Sequence, residues 1–256
     1  MNDNINKKIA VGIDIGGTNT KIGLVTEKGN IINFQSFPTC NPRTFEEYIK
    51  QLKTTVDYLI TQSNLLYSNI IGIGVGAPNA NFLTGEVESP PNIKNWGTVN
   101  LVSTLKKEFN KPVILENDAN VAAIGEIKWG AAQKFKDFVV ITLGTGVGTG
   151  IYTNGTLLRG ANAMASEGGH ISIKKNGRNC SCGGVGHLEA YCSVTGIKQT
   201  VKEITGEVLS FSEISRKFHS HDTKMIKVVN QTAEYLADGL AIIGSILEPE
   251  AIILAG

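Results

Sequence analysis

The chain has 256 residues, 41% of them hydrophobic, and a formal net charge of +1. That is enough apolar material for one large core or two lobes, and the scattered charges form no basic stripe of the kind that binds nucleic acid or anionic lipid. A small polar or anionic ligand is the better expectation. The polar start MNDNINKK runs directly into an apolar alternation, with no stretch long enough for a signal peptide or membrane span, so the expected compartment is the cytoplasm.

Residues 8 to 34 alternate apolar and polar positions across two turns, Gly16-Gly17-Thr18 and Glu27-Lys28-Gly29-Asn30, and predict an antiparallel meander. Behind Thr44, an N-cap residue, the side chains of Phe45, Tyr48, Ile49, Leu52, Val56, Leu59 and Ile60 recur at helical spacing. "IIGIGVGAP" reads as a buried strand, residues 79 to 98 as irregular, Leu101 to Phe109 as a short helix, and "PVILEN" as another strand. A helix of small residues starts at Asp118. "FVVITLGTGVGTGIYTNGTLL" then repeats the opening pattern of apolar strand, Gly-Thr turn and apolar strand. Two copies imply two related halves, 1–116 and 117–256, with a cleft between them. Residues 194 to 245 read as helical with an exposed break around His219 to Asp222, and the apolar strand in "EPEAIILAG" closes the chain.

Gly16-Gly17-Thr18 is either a plain hairpin turn, because glycine supplies φ > 0, or a phosphate cradle. In the second case its bare backbone N–H groups and the Thr18 and Thr20 hydroxyls hold phosphate oxygens. Asp14, at the strand end, would then hold a hydrated Mg²⁺. No Gly-Lys-Ser/Thr follows, so the turn is not a Walker loop. The second copy, Gly144-Thr145-Gly146, favours the phosphate reading. Asp118 is either an N-cap or a general base that accepts a hydroxyl proton in phosphoryl transfer. Glu167 and His170 offer the paired hydrogen bonds that a polyhydroxylated ligand needs. Three of the four cysteines, Cys180, Cys182 and Cys192, crowd a segment that also holds His187. His170, Cys180, Cys182 and His187 make a possible tetrahedral zinc set, the alternative being a glycine-rich loop with unliganded thiols. His219 and His221 are expected on a solvated loop.

These motifs carry a resemblance. "DIGGTNTKIGLV", "ENDAN", "TLGTGVGTGI", "ASEGGH" and "CSCGGVGHLEAYCS" are similar to the signatures of the ROK family (repressors, open reading frames and kinases), within the actin-like ATPase superfamily, and look most like its glucokinase members. The resemblance covers essentially the whole chain. It implies an α/β, two-lobed, ribonuclease H-like fold, each lobe with a mixed sheet flanked by helices. It further implies that Asp14 serves Mg²⁺ and ATP, that Gly16, Gly17, Thr18, Gly144, Thr145 and Gly146 surround the phosphates, and that Asp118 is the base. Asn92, Asn117, Glu167, His170 and Glu189 would hold sugar hydroxyls. The implied reaction moves the γ-phosphoryl of ATP to the 6-hydroxyl of a hexose, glucose first. Fructose, mannose, N-acetylglucosamine and N-acetylmannosamine are the alternatives, and the family suggests a homodimer.

Two departures stand out. The family's zinc signature has a third cysteine where this chain has His187, while Cys192 matches a position that is not a ligand. The family also continues past "EPEAIILAG" into an adenosine-binding turn and a closing helix, so the chain is expected to lack these. Its regulator members carry a winged helix-turn-helix ahead of the first phosphate motif, and the stretch before Asp14 is too short for one. A kinase is thus expected over a sugar-sensing repressor, with a non-catalytic sugar-binding protein as a further alternative.

Overall fold

Alternating burial builds the first sheet. In the computed structural model, which describes residues 7–41, 44–90, 93 and 95–256, strands β1 (Ile9–Ile15), β2 (Asn19–Thr26) and β3 (Ile31–Pro38) form the expected meander. On β1 and β2 every second side chain (Ile9, Val11, Ile13, Ile15, then Ile22 and Leu24) is buried. Helix α1 (Phe45–Gln62) covers that face; Thr44 caps it by accepting from Glu47 N–H at 3.2 Å, and Tyr48, Ile49, Leu52, Val56, Leu59 and Ile60 form its apolar stripe. Strands β4 (Ile70–Ala77) and β8 (Val113–Asn117) extend the sheet in parallel, giving the order β3-β2-β1-β4-β8. β4 is not buried throughout as expected: Ile71, which the register shift between Ile9 and Ala10 leaves without a partner on β1, stands 53% exposed.

The stretch read as irregular, residues 79 to 98, contains β5 (Ala80–Asn81) and β6 (Glu86–Glu88) and runs into β7 (Thr98–Asn100), and the three form a small sheet in that order. Its strands have two or three residues, too few for an alternation to declare itself. Helix α2 (Leu101–Phe109) follows, capped by the Asn100 side chain at 2.9 Å from Ser103 N–H and ended by Asn110 in the left-handed region. Residues up to Val121, with Ala161–Ala163, make one compact unit; Ala122–Gly160 and Met164–Gly256 make the other.

The second unit repeats the first unit's pairing. β9 (Phe138–Leu143) pairs antiparallel with β10 (Val147–Thr153) and in parallel with β12 (Ala251–Ala255), and β11 (Thr156–Leu157) lies outside β10. β9 is clothed on both faces, which is why it reads as a continuous apolar run. Phe138 and Val140 pack with Ala123 of helix α3 (Asp118–Trp129) and with Ala132. Val139 and Ile141 pack with Leu188, with Tyr191 of α4 (Glu189–Cys192), and with Ile243 of α7 (Thr223–Leu247). Helices α5 (Val194–Thr205) and α6 (Phe211–His219) complete the unit. His219 closes α6 and His221 follows it, both exposed as expected. Among the described residues no helix is long and apolar enough to cross a membrane.

Candidate active site

The carboxyl ends of the parallel strands bring Asp14 and Glu116 to one edge of the first sheet. Asp14 on β1 lies beside Gly76 on β4, which lies beside Glu116 on β8. In open α/β sheets this is the edge where ligands bind. Asp14 is exposed, with Lys21 Nζ 3.6 Å from its carboxylate. Directly after β1, Gly16 N–H donates to Asn19 C=O at 3.0 Å and closes the turn. Thr18 is exposed at its tip. Thr20 differs from expectation. Its residue is fully buried, and its hydroxyl lies 3.0 Å from the Thr39 hydroxyl and 3.1 Å from the Tyr48 phenol, so it faces the core and not the turn's outer side. Thr39 in turn donates to Gly16 C=O at 2.7 Å through its hydroxyl and to Thr18 C=O at 2.9 Å through its N–H.

At the end of β8 the two readings of Asp118 separate. Asn117 Oδ1 accepts from Ala119 N–H at 2.9 Å and Asn120 N–H at 3.3 Å, so Asn117 caps α3. Asp118 accepts from the adjacent Ala119 N–H, at 2.8 Å, through Oδ1. Glu116, buried beneath, accepts from Asn117 N–H and the Asn120 side chain, both at 3.1 Å, and locks the strand–helix junction. Protein crowding around the Asp118 carboxyl pushes its pKa above the ordinary carboxylate range; the Ala119 N–H opposes this and the nearby Asp14 charge adds to it. Asn92, the remaining first-unit residue assigned to sugar, lies outside the described residues.

In the second unit the Gly144-Thr145-Gly146 turn is closed by Gly144 N–H donating to Gly146 C=O at 3.0 Å. Glu189, 42 residues further on, accepts from Val147 N–H at 3.0 Å through Oε2 and from the Ser181 hydroxyl at 2.8 Å through Oε1. A Cβ on Gly146 would collide with that carboxylate, so only glycine allows the contact. Val194 N–H holds Gly144 C=O at 2.9 Å from the start of α5. Ser181 and Arg178 were not among the residues singled out by sequence. Arg178 donates to Ala190 C=O, Gly196 C=O and the Thr200 hydroxyl, at 2.9 to 3.1 Å, and fastens the cysteine loop to α4 and α5. A lone arginine among glycines carries no signal of such a role.

The four proposed metal ligands do converge. One donor atom from each of His170, Cys180, Cys182 and His187 lies within 4.8 Å of all the others, with His170 Nδ1 3.7 Å from Cys180 Sγ and His187 Nδ1 3.2 Å from Cys182 Sγ. Those separations suit a tetrahedron with metal–ligand bonds of about 2.0–2.3 Å. Gly184 sits against the His187 imidazole, where any side chain would overlap the ring. Burial raises the Cys180 pKa, the penalty that a bound cation would offset. His170 uses its other nitrogen differently: Nε2 lies 3.8 Å from Glu167 Oε2, in the manner of a carboxylate that orients a metal-bound imidazole. Cys192 is buried away from this cluster, near Thr232 C=O, and burial pushes its thiol up to about 12.

This geometry can be set beside known proteins. The chain matches the ROK family over residues 10–256. It belongs to that family. A glucokinase from Halalkalibacterium halodurans is 35% identical over 96% of this chain and 79% of its own length. The xylose repressor of Bacillus subtilis is 30% identical over 97% of this chain and 65% of its own length. Among solved structures, a ROK family glucokinase from Streptomyces griseus in complex with glucose and AMPPNP superposes with a TM-score of 0.83 at 29% identity, over 96% of this chain and 82% of that one. This ROK chain therefore has the actin-like ATPase fold of its solved relatives.

Proposed function

We propose that this ROK protein is an ATP-dependent sugar kinase that phosphorylates the 6-hydroxyl of a hexose, with glucose as the substrate. The observation that carries the reading is the division of labour at the head of α3: Asn117 caps the helix, which leaves the Asp118 carboxylate available to take a proton. As the sugar oxygen attacks the γ-phosphorus, the new O–P bond forms, the bond to the β-phosphate oxygen breaks, and Asp118 accepts the hydroxyl proton. A raised pKa makes it a stronger base than an ordinary aspartate. The kinship with glucokinases supports glucose over the other hexoses and N-acetylhexosamines.

Gly16, Gly17, Thr18, Gly144, Thr145 and Gly146 are assigned to the phosphates. Asn117, Glu167, His170 and Glu189 are assigned to the sugar hydroxyls, with Asn92 as a further candidate. The exposed Asp14 suits a Mg²⁺ that keeps its water shell and arrives with ATP; that ion would neutralise phosphate charge. His170, Cys180, Cys182 and His187 would hold one structural Zn²⁺ that fixes the loop bearing Ser181. A homodimer fits the family. The kinship with a xylose repressor favours a second reading, in which sugar binds without turnover. A coupled assay with glucose and ATP separates the two: NADPH formation through glucose-6-phosphate dehydrogenase supports the kinase, and sugar binding with no turnover rejects it.

A further inference from the structure

Tyr48, Thr20 and Thr39 form a line of three fully buried hydroxyls that ends on the first Gly-Thr turn. The direction of the line follows from donor counting. Gly16 C=O can only accept, so the single Thr39 hydroxyl proton is committed to it. The Thr20 hydroxyl must then donate to Thr39, and the Tyr48 phenol to Thr20. Each proton is used once, and the bonds polarise one another in a dry interior. The rings of Phe37 and Trp96, with centroids 5.6 and 4.5 Å from that of Tyr48, hold the phenol in place.

A trans peptide sets its N–H opposite its C=O. With Gly16 C=O drawn inward by Thr39, the N–H of Gly17 is turned outward. Cys40 Sγ, 3.7 Å from Gly17 C=O, biases the Thr18 N–H the same way. An isolated Gly-Gly pair has little preference between this peptide orientation and its flip. We infer that the Tyr48–Thr20–Thr39 hydroxyl line is a positioning device that presets the N–H groups of the first turn for the phosphates of the nucleotide, with Thr39 as its decisive member. This rests on the kinase reading above, but it concerns three residues that are fully buried.

Thr39→Val keeps the shape and removes the proton. In steady-state kinetics and in calorimetry with AMPPNP, it should raise KM for ATP and Kd for AMPPNP about tenfold, the effect of one lost hydrogen bond with a carbonyl left unpaired. The glucose Kd should stay within about twofold, and Thr39→Ser should restore the wild-type values. Tyr48→Phe, one step further away, should give about threefold on the same constants. If Thr39→Val fails to fold, Thr20→Val and Tyr48→Phe carry the same test. A variant that melts earlier yet binds AMPPNP as the wild type does would show a merely structural role and overturn the inference. Failure of the wild type to bind AMPPNP at all would instead remove the kinase reading and this inference with it.

Discussion

In the first unit the Gly16-Gly17-Thr18 turn joins β1 to β2, and β1 also pairs in parallel with β4; in the second, Gly144-Thr145-Gly146 joins β9 to β10, and β9 pairs in parallel with β12. The two turns share strand order, pairing sense and residue types, yet they are restrained by opposite means. Neutral buried hydroxyls reach the first turn from β2, the segment after β3, and α1. A carboxylate reaches the second from α4, tied through Ser181 to the cysteine loop. Glycine decides where the chain can reverse, whereas the direction its peptides face is set by groups far away in sequence. The first turn's brace carries no charge and no metal ligand. The second turn's brace is tied through Ser181 to the segment that carries Cys180 and Cys182, two of the four proposed metal ligands, so a bound metal should affect it and spare the first.

The largest effect is expected beside the first turn. Asp118→Asn should lower kcat by about 10²–10⁴-fold, the range for loss of a general base, with sugar affinity nearly intact. The wild-type kcat/KM should fall on the acid side at a pH above the ordinary aspartate value of about 3.9, because Asp118 holds its proton more tightly than usual. The sign for stability runs the other way. A raised folded-state pKa gives stability that is full below the unfolded value and lost as pH rises through the folded one. Asp118→Asn should therefore melt no lower than wild type at neutral pH, and a clear loss of Tm would return Asp118 to a capping role.

Metal removal tests the contrast directly. His187→Ala, or prolonged chelation, should release about one zinc per chain and weaken sugar affinity by about 10–100-fold. AMPPNP affinity should fall less, since the first turn keeps its hydroxyl brace. Equal losses of both ligands, or full sugar affinity without metal, would erase the distinction between the two turns.

Smaller effects sharpen it. Asn117→Ala should cost about 1 kcal/mol of stability, read by denaturant unfolding, as the true cap of α3. An unchanged midpoint would show that the Asn117 contacts to Ala119 and Asn120 hold nothing. Ser181→Ala removes the hydroxyl link between Glu189 and the cysteine loop, leaves the longer Cys180 Sγ contact at 3.7 Å, and replaces no proposed metal ligand. About a threefold loss in kcat/KM is expected, the value of one partly exposed hydrogen bond, with zinc content unchanged. No change would mean that the loop and the second turn are independent.

Much of this was written locally. The meander, α1 with its Thr44 cap, α2, and the repeat of strand, Gly-Thr turn and strand all follow from period and capping chemistry within short windows. The spacing of His170, Cys180, Cys182 and His187 likewise marked the four as candidate metal ligands, and they converge. Thr20 was legible too: it is in phase with Ile22 and Leu24 on β2, and that phase assigns it to the buried face. A hydroxyl beside a glycine turn drew the phosphate reading instead. Asn117 and Asp118 are both good caps, and which of them caps α3 depends on the last residue of β8, a boundary that strand signals leave loose.

Local sequence thus determined the elements, the two turns and the types of residue placed at them, because periodicity, capping and turn chemistry act over a few residues. Tertiary structure alone decided which groups hold the turns: Thr39 bonds Gly16 across 23 residues and Glu189 bonds Val147 across 42. It also decided the two- and three-residue strands β5, β6 and β7, which exist only through their partners. Each such contact is a hydrogen bond between segments that the chain must first fold to bring together. Its geometry is fixed by packing that no short window of residues contains.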